Sequence, residues 1–138
     1  MEKRVLYGLV VILMYFVGSG FGQGLGPADE SEWNRFLTNA QVPVLLSITS
    51  TYCGYPCVIV QDQVAQLAQT YGDKIKFYTA DILLHPFFSQ LYGELNAPTV
   101  IVFESGNEIV RYENIFDWGN IYNLVSTRLF GSAVPPPS

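Results

Sequence analysis

The chain has 138 residues, a net charge of −5, and a composition that is 49% hydrophobic and 14% aromatic. These values predict one folded domain with a hydrophobic core and exclude a wholly disordered chain. No stripe of basic residues is present, which excludes nucleic-acid binding because phosphate neutralisation needs clustered Lys and Arg. The two cysteines can form at most one intrachain disulfide, so a multi-disulfide scaffold is also excluded.

Residues 1–22 have the order of an export signal. Lys3 and Arg4 precede an apolar run over residues 5–17, and small residues follow. The run is shorter than the roughly 20 residues that span a bilayer, yet no charged residue occurs between Arg4 and Asp29. A cleaved signal peptide, a retained membrane anchor and a buried helix therefore all stay open. Either export interpretation predicts a periplasmic or other extracytoplasmic location, with membrane tethering if the segment is retained.

The rest of the chain divides into three parts. Residues 23–28 are glycine-rich and predict a linker. Residues 29–130 carry the apolar periodicity of secondary structure and predict the folded domain. Residues 131–138 are rich in proline and predict a disordered tail.

Helical and strand patterns alternate within the folded domain. The predicted elements are a helix from Asp29, a buried strand in "VPVLLSITS", a helix after the cysteines, a strand in "KIKFYTAD", a short helix from Pro86, two strands joined at residues 105–107, and a helix from Asp117 to Phe130. This α-β-α-β-α-β-β-α order predicts an α/β fold, in which a mixed sheet has helices on both faces.

Three stretches carry a resemblance to a known family. They are "YCGYPC" between a strand and a helix, "HPFFSQLYGELNAPT" with its spaced prolines and aromatic-glycine pair, and "LNAPTVIVFESGNEI" with its loop proline, strand, turn and strand. In order and spacing they resemble the thioredoxin family over roughly residues 29–130. The resemblance implies a single-domain, thioredoxin-like α/β fold with a central mixed β-sheet flanked by helices. It also implies a cis bond between Ala97 and Pro98.

The resemblance also implies a redox site. Cys53 would be the attacking thiol, with a pKa lowered by the helix amino terminus, and Cys57 the buried resolving thiol. Tyr52 and Tyr55 flank the cysteines as candidate exposed contacts with substrate, and Ala97 and Pro98 would shape the substrate groove. No organic cofactor and no metal is assigned, because the cysteine pair would itself be the redox centre.

The sequence departs from the family pattern near the cysteines. Gly54-Tyr55-Pro56 is one residue longer than the usual spacer, and Pro56 predicts a helix start that leaves Cys53 in the loop. A disulfide is feasible whether the cysteines lie in a loop and a helix or both in the helix. Ser47 occupies the position where many thioredoxins have a buried acid that assists the resolving thiol. Tyr52 stands where the family usually has a tryptophan before the first cysteine.

The leading hypothesis is an exported thiol–disulfide oxidoreductase that acts on extracytoplasmic protein thiols or disulfides and needs a redox partner. The alternative from another class is a non-catalytic subunit or binding module of a membrane assembly, in which the cysteines form a structural disulfide. A copper-binding protein is the third hypothesis, since two thiolates and the imidazole of His85 suit copper. Against it, Val58 replaces the proline expected after the second cysteine, and His85 is too near the cysteines in sequence.

Overall fold

A computed structural model describes residues 29–113 and 120–132. The helices and strands are α1 (Glu30–Asn39), β1 (Val44–Thr49), α2 (Tyr55–Tyr71), β2 (Lys76–Asp81), α3 (Phe87–Tyr92), β3 (Thr99–Glu104), β4 (Asn107–Glu113) and α4 (Asn120–Phe130). This order confirms the predicted one. The predictions for residues 1–28, for a helix start at Asp117 and for residues 133–138 lie outside the described residues.

The four strands form one mixed sheet in the order β2-β1-β3-β4. Strand β1 is parallel to β2 and antiparallel to β3, and β3 is antiparallel to β4. The carboxyl ends of β1 and β2 therefore lie beside the amino end of β3, at one end of the strands. We call this end of the sheet the site edge, because the cysteines directly follow β1.

Strand β1 is buried on both faces, as its apolar run predicts. Val44, Leu46 and Ile48 face the core that contains α1 and α3, whereas Leu45 faces the core that contains α2 and α4. Ser47 is also fully buried, and the alternation of side chains along a strand places it on the α2 side. The predicted mixed sheet with flanking helices is thereby confirmed.

Aromatic rings fill the core beneath α1. Asp29 begins the helix by accepting a 2.9 Å hydrogen bond from the Glu32 N–H. Trp33 is fully buried, and its Nε1–H donates to the hydroxyl of Tyr92 at 2.6 Å. The Trp33 ring also contacts Phe88 edge-on, with 5.1 Å between ring centroids. Helix α1 is thus attached to the segment that leads into the Ala97–Pro98 loop.

A polar pair joins α2 and α4 on the other face. Buried Gln63 accepts a 3.1 Å hydrogen bond through Oε1 from the backbone N–H of Tyr122 in the first turn of α4. Tyr122 donates from its hydroxyl to Oγ1 of Thr70 at 2.9 Å. First-turn N–H groups lack acceptors within their own helix. Gln63 on α2 therefore provides the acceptor for one such N–H group of α4.

Helix α1 begins at Glu30, with Asp29 as its N-cap, and two further helix starts also differ by one residue from the prediction. Helix α2 begins at Tyr55 rather than Pro56, with Pro56 in its first turn, and α3 begins at Phe87 after Pro86. Both prolines remain at amino-terminal positions, where a missing N–H costs no helical hydrogen bond. Within the two described ranges, no helix has the length and hydropathy needed to cross a membrane.

Candidate active site at the carboxyl end of β1

Cys53 and Cys57 form a disulfide at the amino terminus of α2. The two Cα atoms are 5.8 Å apart, inside the usual disulfide range. Gly54 lies between the loop and the helix with φ 77° and ψ −144°, a conformation that residues with a Cβ rarely adopt. The Gly54 carbonyl accepts from the N–H of Cys57 at 3.1 Å. Gly54 therefore lets the chain enter the helix with both cysteines within bonding distance.

The two cysteines differ in access to solvent. Cys57 is in the first turn of α2 and only 6% exposed, whereas Cys53 lies in the preceding loop and is partly exposed. The N–H of Cys53 donates to the Ser50 carbonyl at 3.1 Å, which shapes the loop. Of the two arrangements that the sequence left open, the structure has Cys53 in the loop and Cys57 in the helix. An incoming thiolate would reach the Cys53 sulfur first, which agrees with the predicted roles; the roles themselves stay a prediction.

The charge environment at this helix start favours an anion. Helix α2 has no acidic residue in its first turn and no side-chain cap there. A helix amino terminus carries partial positive charge, so Cys53 in the reduced protein would be stabilised as a thiolate. Because Cys53 precedes the N-cap residue Gly54, it lies just outside the helix, where this effect is weaker than within the first turn.

A neutral hydrogen-bonded pair occupies the interior position that many thioredoxins fill with an acid. Gln61 donates from Nε2 to Oγ of fully buried Ser47 at 3.3 Å. Gln61 is one helical turn beyond Cys57 on α2, so these two side chains share a helix face. The sequence pattern pointed to Ser47 but not to Gln61. The spacing of four residues between Cys57 and Gln61 indicates only that the two side chains share a helix face.

Exposed apolar side chains surround the disulfide. Tyr52 is 86% exposed and Tyr55 62% exposed, and Val58 in the first turn of α2 is also exposed. The expected exposure of the two tyrosines is confirmed, and their contact with substrate remains a prediction. Large exposed apolar groups beside a reactive centre are typical of interaction surfaces.

Ala97 and Pro98 lie at the same edge of the sheet as the cysteine loop. The peptide bond between them is cis, as the family resemblance implies. Pro98 is buried and Ala97 half-buried. The next residue, Thr99, pairs with Ile48 near the end of β1, so the antiparallel register brings this loop to the site edge. The predicted groove residues are therefore at the same edge as the cysteines.

A third loop, which the sequence pattern did not indicate, reaches the site edge. Thr51 donates from Oγ1 to Oδ2 of Asp81 at 2.8 Å, and the Leu83 N–H donates to Oδ1 at 2.8 Å. Asp81 thus joins the cysteine loop to the β2–α3 loop. Partial desolvation raises the pKa of Asp81, but the hydrogen bonds from the Thr51 side chain and from backbone N–H groups outweigh it, so the net pKa is lowered. The sequence carries no local signal for this contact, because it depends on β1 and β2 pairing side by side in parallel.

His85, the histidine of the copper hypothesis, lies at the base of the β2–α3 loop. Its ring is 6.3 Å from that of Phe87 and 6.4 Å from that of Phe88, centroid to centroid. Its buried Nδ1 has no hydrogen-bond partner within the described chain. No group of three or more His, Cys, Asp or Glu side chains in residues 29–113 and 120–132 is arranged to hold a metal ion.

Comparison with known proteins agrees with this architecture. The sequence profile of the thioredoxin family matches residues 25–126. "Thioredoxin M4, chloroplastic" of Arabidopsis thaliana is 35% identical over 80 residues, which cover 58% of this chain and 41% of that protein. "Thioredoxin M-type, chloroplastic" of Brassica napus is 31% identical over 85 residues, covering 62% and 48% of the two chains. This chain thus spans less than half the length of these relatives.

Among solved structures, the thioredoxin Mala s 13 of Malassezia sympodialis has a similar fold. The TM-score is 0.55 at 24% sequence identity, and the match covers 62% of this chain and 74% of that one. This likeness concerns the fold, whereas the family profile covers most of the sequence and includes both cysteines and Pro98. On that evidence the chain belongs to the thioredoxin family.

Proposed function

We propose that this protein is a thiol–disulfide oxidoreductase that exchanges disulfides with protein substrates through Cys53 and Cys57. One observation carries the proposal: a single disulfide at a helix amino terminus has one partly exposed and one buried cysteine. Disulfide exchange needs an accessible sulfur for the first attack and a second sulfur for resolution. Family membership supports the same chemistry.

The exchange balances between substrate and protein. In the reducing direction, the Cys53 thiolate attacks a substrate disulfide, forms a mixed disulfide and releases one substrate thiolate. The Cys57 thiolate then attacks the Cys53 sulfur, which releases the second substrate thiolate and forms the Cys53–Cys57 disulfide. Two electrons pass to the substrate, and a partner dithiol must supply two electrons for the next cycle. The oxidising direction is the reverse, beginning with attack of a substrate thiolate on Cys53.

The surroundings of the disulfide support protein substrates. Tyr52 and Tyr55 expose large aromatic surfaces beside Cys53, and Ala97 lies at the same edge of the sheet, partly accessible. An extended peptide can hydrogen-bond to exposed loop backbone beside the disulfide, with side-chain contacts providing selectivity. We propose that these residues and Pro98 form the substrate-binding surface.

We also propose that the protein acts outside the cytoplasm, with residues 1–22 as a signal peptide or a membrane anchor. The support is the order of Lys3, Arg4, the apolar run and the small residues. Labelling intact cells with a membrane-impermeant thiol reagent, after mild reduction, tests this location. Labelling of Cys53 before lysis supports it, and labelling only after lysis contradicts it.

The reduction potential of the Cys53–Cys57 pair tests the proposed activity. The purified full chain would be equilibrated in glutathione or dithiothreitol buffers and its free thiols counted by alkylation. A reversible value between about −120 and −270 mV is the range of dedicated exchange catalysts and would support the proposal. A value below about −300 mV would identify a structural disulfide and contradict it.

A second candidate function is a non-catalytic binding module or subunit of a membrane assembly. The Ser47–Gln61 pair favours it, because neither side chain can take a proton from the resolving thiol near neutral pH. Under this alternative the disulfide would stabilise the start of α2. A potential below about −300 mV together with stable capture of a partner by the oxidised protein would support this candidate.

A further inference from the structure

Two adjacent leucines are exposed in the loop between β2 and α3. Leu83 is 56% exposed and Leu84 69% exposed. The loop is held by hydrogen bonds to Asp81: the Leu84 N–H donates to its carbonyl at 3.0 Å, and the His85 N–H to the same carbonyl at 2.9 Å. A well-bonded loop that keeps two large apolar side chains outside the core is suited to contact a partner.

The leucine loop is bonded to the cysteine loop. Asp81 accepts from the Thr51 hydroxyl at 2.8 Å, and the Ile82 N–H donates to the Thr49 carbonyl at 3.0 Å. Thr51 is two residues from Cys53, and Leu83 is two residues from Asp81. Since neighbouring Cα atoms are about 3.8 Å apart, each of these steps covers at most about 7.6 Å. The Thr51–Asp81 hydrogen bond joins these two steps, and an extended substrate segment of about seven residues can therefore reach from Cys53 to the leucine loop.

The two loops offer apolar surface without ionic contacts. Residues 50–58 and 82–86 contain no Asp, Glu, Lys or Arg. The nearby carboxylate of Asp81 already accepts hydrogen bonds from Thr51 and Leu83. A charged substrate segment would find no oppositely charged group on these loops, whereas an apolar one would remove leucine surface from water. The charge pattern therefore favours a neutral, apolar partner segment.

We propose that Leu83 and Leu84 determine substrate specificity by contacting an apolar side chain that lies within a few positions of the target cysteine in an extended polypeptide segment. The inference rests on the proposed function and adds the class of substrate to it. The two leucines affect which substrate binds, whereas Cys53 and Cys57 carry out the disulfide exchange.

The test measures attack by the reduced full chain on two peptides. Each peptide carries one cysteine as a mixed disulfide with thionitrobenzoate, flanked by leucines in one peptide and by serines in the other. The Cys53 thiolate displaces coloured thionitrobenzoate and forms a disulfide with the peptide. Cys57 then releases the peptide thiol and forms the Cys53–Cys57 disulfide, so the protein dithiol loses the two electrons that the mixed disulfide gains.

The quantity compared is the ratio of second-order rate constants for the leucine and serine peptides. We expect a Leu83→Ser/Leu84→Ser double variant to lower this ratio about tenfold, the scale of small apolar contacts in substrate discrimination. A Leu83→Met/Leu84→Met variant should restore it, because methionine keeps the apolar volume. An unchanged ratio in the serine variant would overturn the inference.

Phe130→Ser is the matched control for loss of an exposed apolar side chain. Phe130 is 38% exposed and stacks on Tyr71, with 4.5 Å between ring centroids. Tyr71 is at the opposite end of α2 from Cys57, about 21 Å away at 1.5 Å per residue. We expect Phe130→Ser to keep the wild-type ratio. An equal fall of the ratio in this control would overturn the inference, since the effect would not be local.

Exchange with hydroxyethyl disulfide separates this inference from the proposed function. That compound is too small to extend from Cys53 to the leucine loop. No exchange with it by the wild-type chain would overturn both proposals, whereas normal exchange with an unchanged peptide ratio overturns only the specificity role. Leucine-dependent binding to phosphatidylcholine vesicles, or leucine-dependent dimerisation, with an unchanged ratio would assign the surface to a membrane or to a second copy instead.

Discussion

The hydroxyl of Thr51 donates a 2.8 Å hydrogen bond to the carboxylate of Asp81, 30 residues further along the chain. This bond joins the loop that carries Cys53 to the loop that carries Leu83. Desolvation raises the pKa of Asp81, but the hydrogen bonds from the Thr51 hydroxyl and from backbone N–H groups lower it by more. The folded pKa of Asp81 is therefore below its ordinary value of 3.8.

A lowered pKa predicts the direction of the pH dependence. The link between the loops stabilises the folded protein fully above the ordinary pKa of Asp81 and is lost as pH falls through the lower folded value. An NMR titration of the Leu83 amide shift should therefore have its midpoint below 3.8. Thr51→Val should raise this midpoint, because it removes one hydrogen bond to the carboxylate.

Thr38→Val is the control for this titration. The Thr38 hydroxyl donates to the carbonyl of Asn34 within α1, away from Asp81. The control should leave the midpoint of the Leu83 titration unchanged. A wild-type midpoint at or above 3.8 would contradict the assigned role of the Thr51–Asp81 bond.

Replacement of Gln63 by leucine tests the connection between α2 and α4. Gln63→Leu leaves the buried N–H of Tyr122 without its acceptor. We expect the free energy of unfolding to fall by about 1–3 kcal/mol, the cost of an unsatisfied buried donor. Urea unfolding followed by circular dichroism measures this change. Gln69→Leu, at an exposed position of α2, should change stability much less, and equal losses in both variants would argue against this role.

Ser47 tests whether an interior acid limits the second exchange step. Ser47→Asp places a carboxylate on the buried side of β1 facing α2, where it could take the proton of the resolving thiol. We expect the mixed disulfide on Cys53 to resolve at least about tenfold faster in the Asp variant than in Ser47→Asn. Quenched-flow alkylation at several pH values measures the rate. Ser47→Asn matches the size without the charge, so equal rates would remove proton transfer as the limiting factor.

Single cysteine replacements test the two assigned roles. Cys53→Ser should abolish exchange and keep the circular dichroism spectrum, because Cys53 lies in the loop outside the core. Cys57→Ser should accumulate a mixed disulfide between Cys53 and substrate, because no second thiol remains to resolve it. Mass spectrometry of the alkylated proteins identifies these species. Exchange retained in Cys53→Ser, or a mixed disulfide on Cys57 instead of Cys53, would contradict the mechanism.

The order of helices and strands could be predicted from the sequence because the signals are local. Alternating apolar residues in "KIKFYTAD" and the apolar run in "VPVLLSITS" depend on near neighbours, and each became a strand. Helix starts were predicted to within one residue at Pro56 and Pro86. The spacing between the cysteine pair and the loop proline was sufficient to recognise the family. The family in turn implied the mixed sheet.

The partners of individual polar side chains were decided by the tertiary structure. Thr51 meets Asp81 because β1 and β2 pair in parallel register, and Gln61 meets Ser47 because α2 packs across β1. Gln63 meets the Tyr122 N–H across a separation of 59 residues. No local pattern encodes such contacts, since they depend on strand order, register and helix packing at once. The sequence alone determined which cysteines could react, whereas the fold determined that Cys53 is accessible, Cys57 is buried and an apolar loop lies at the same edge.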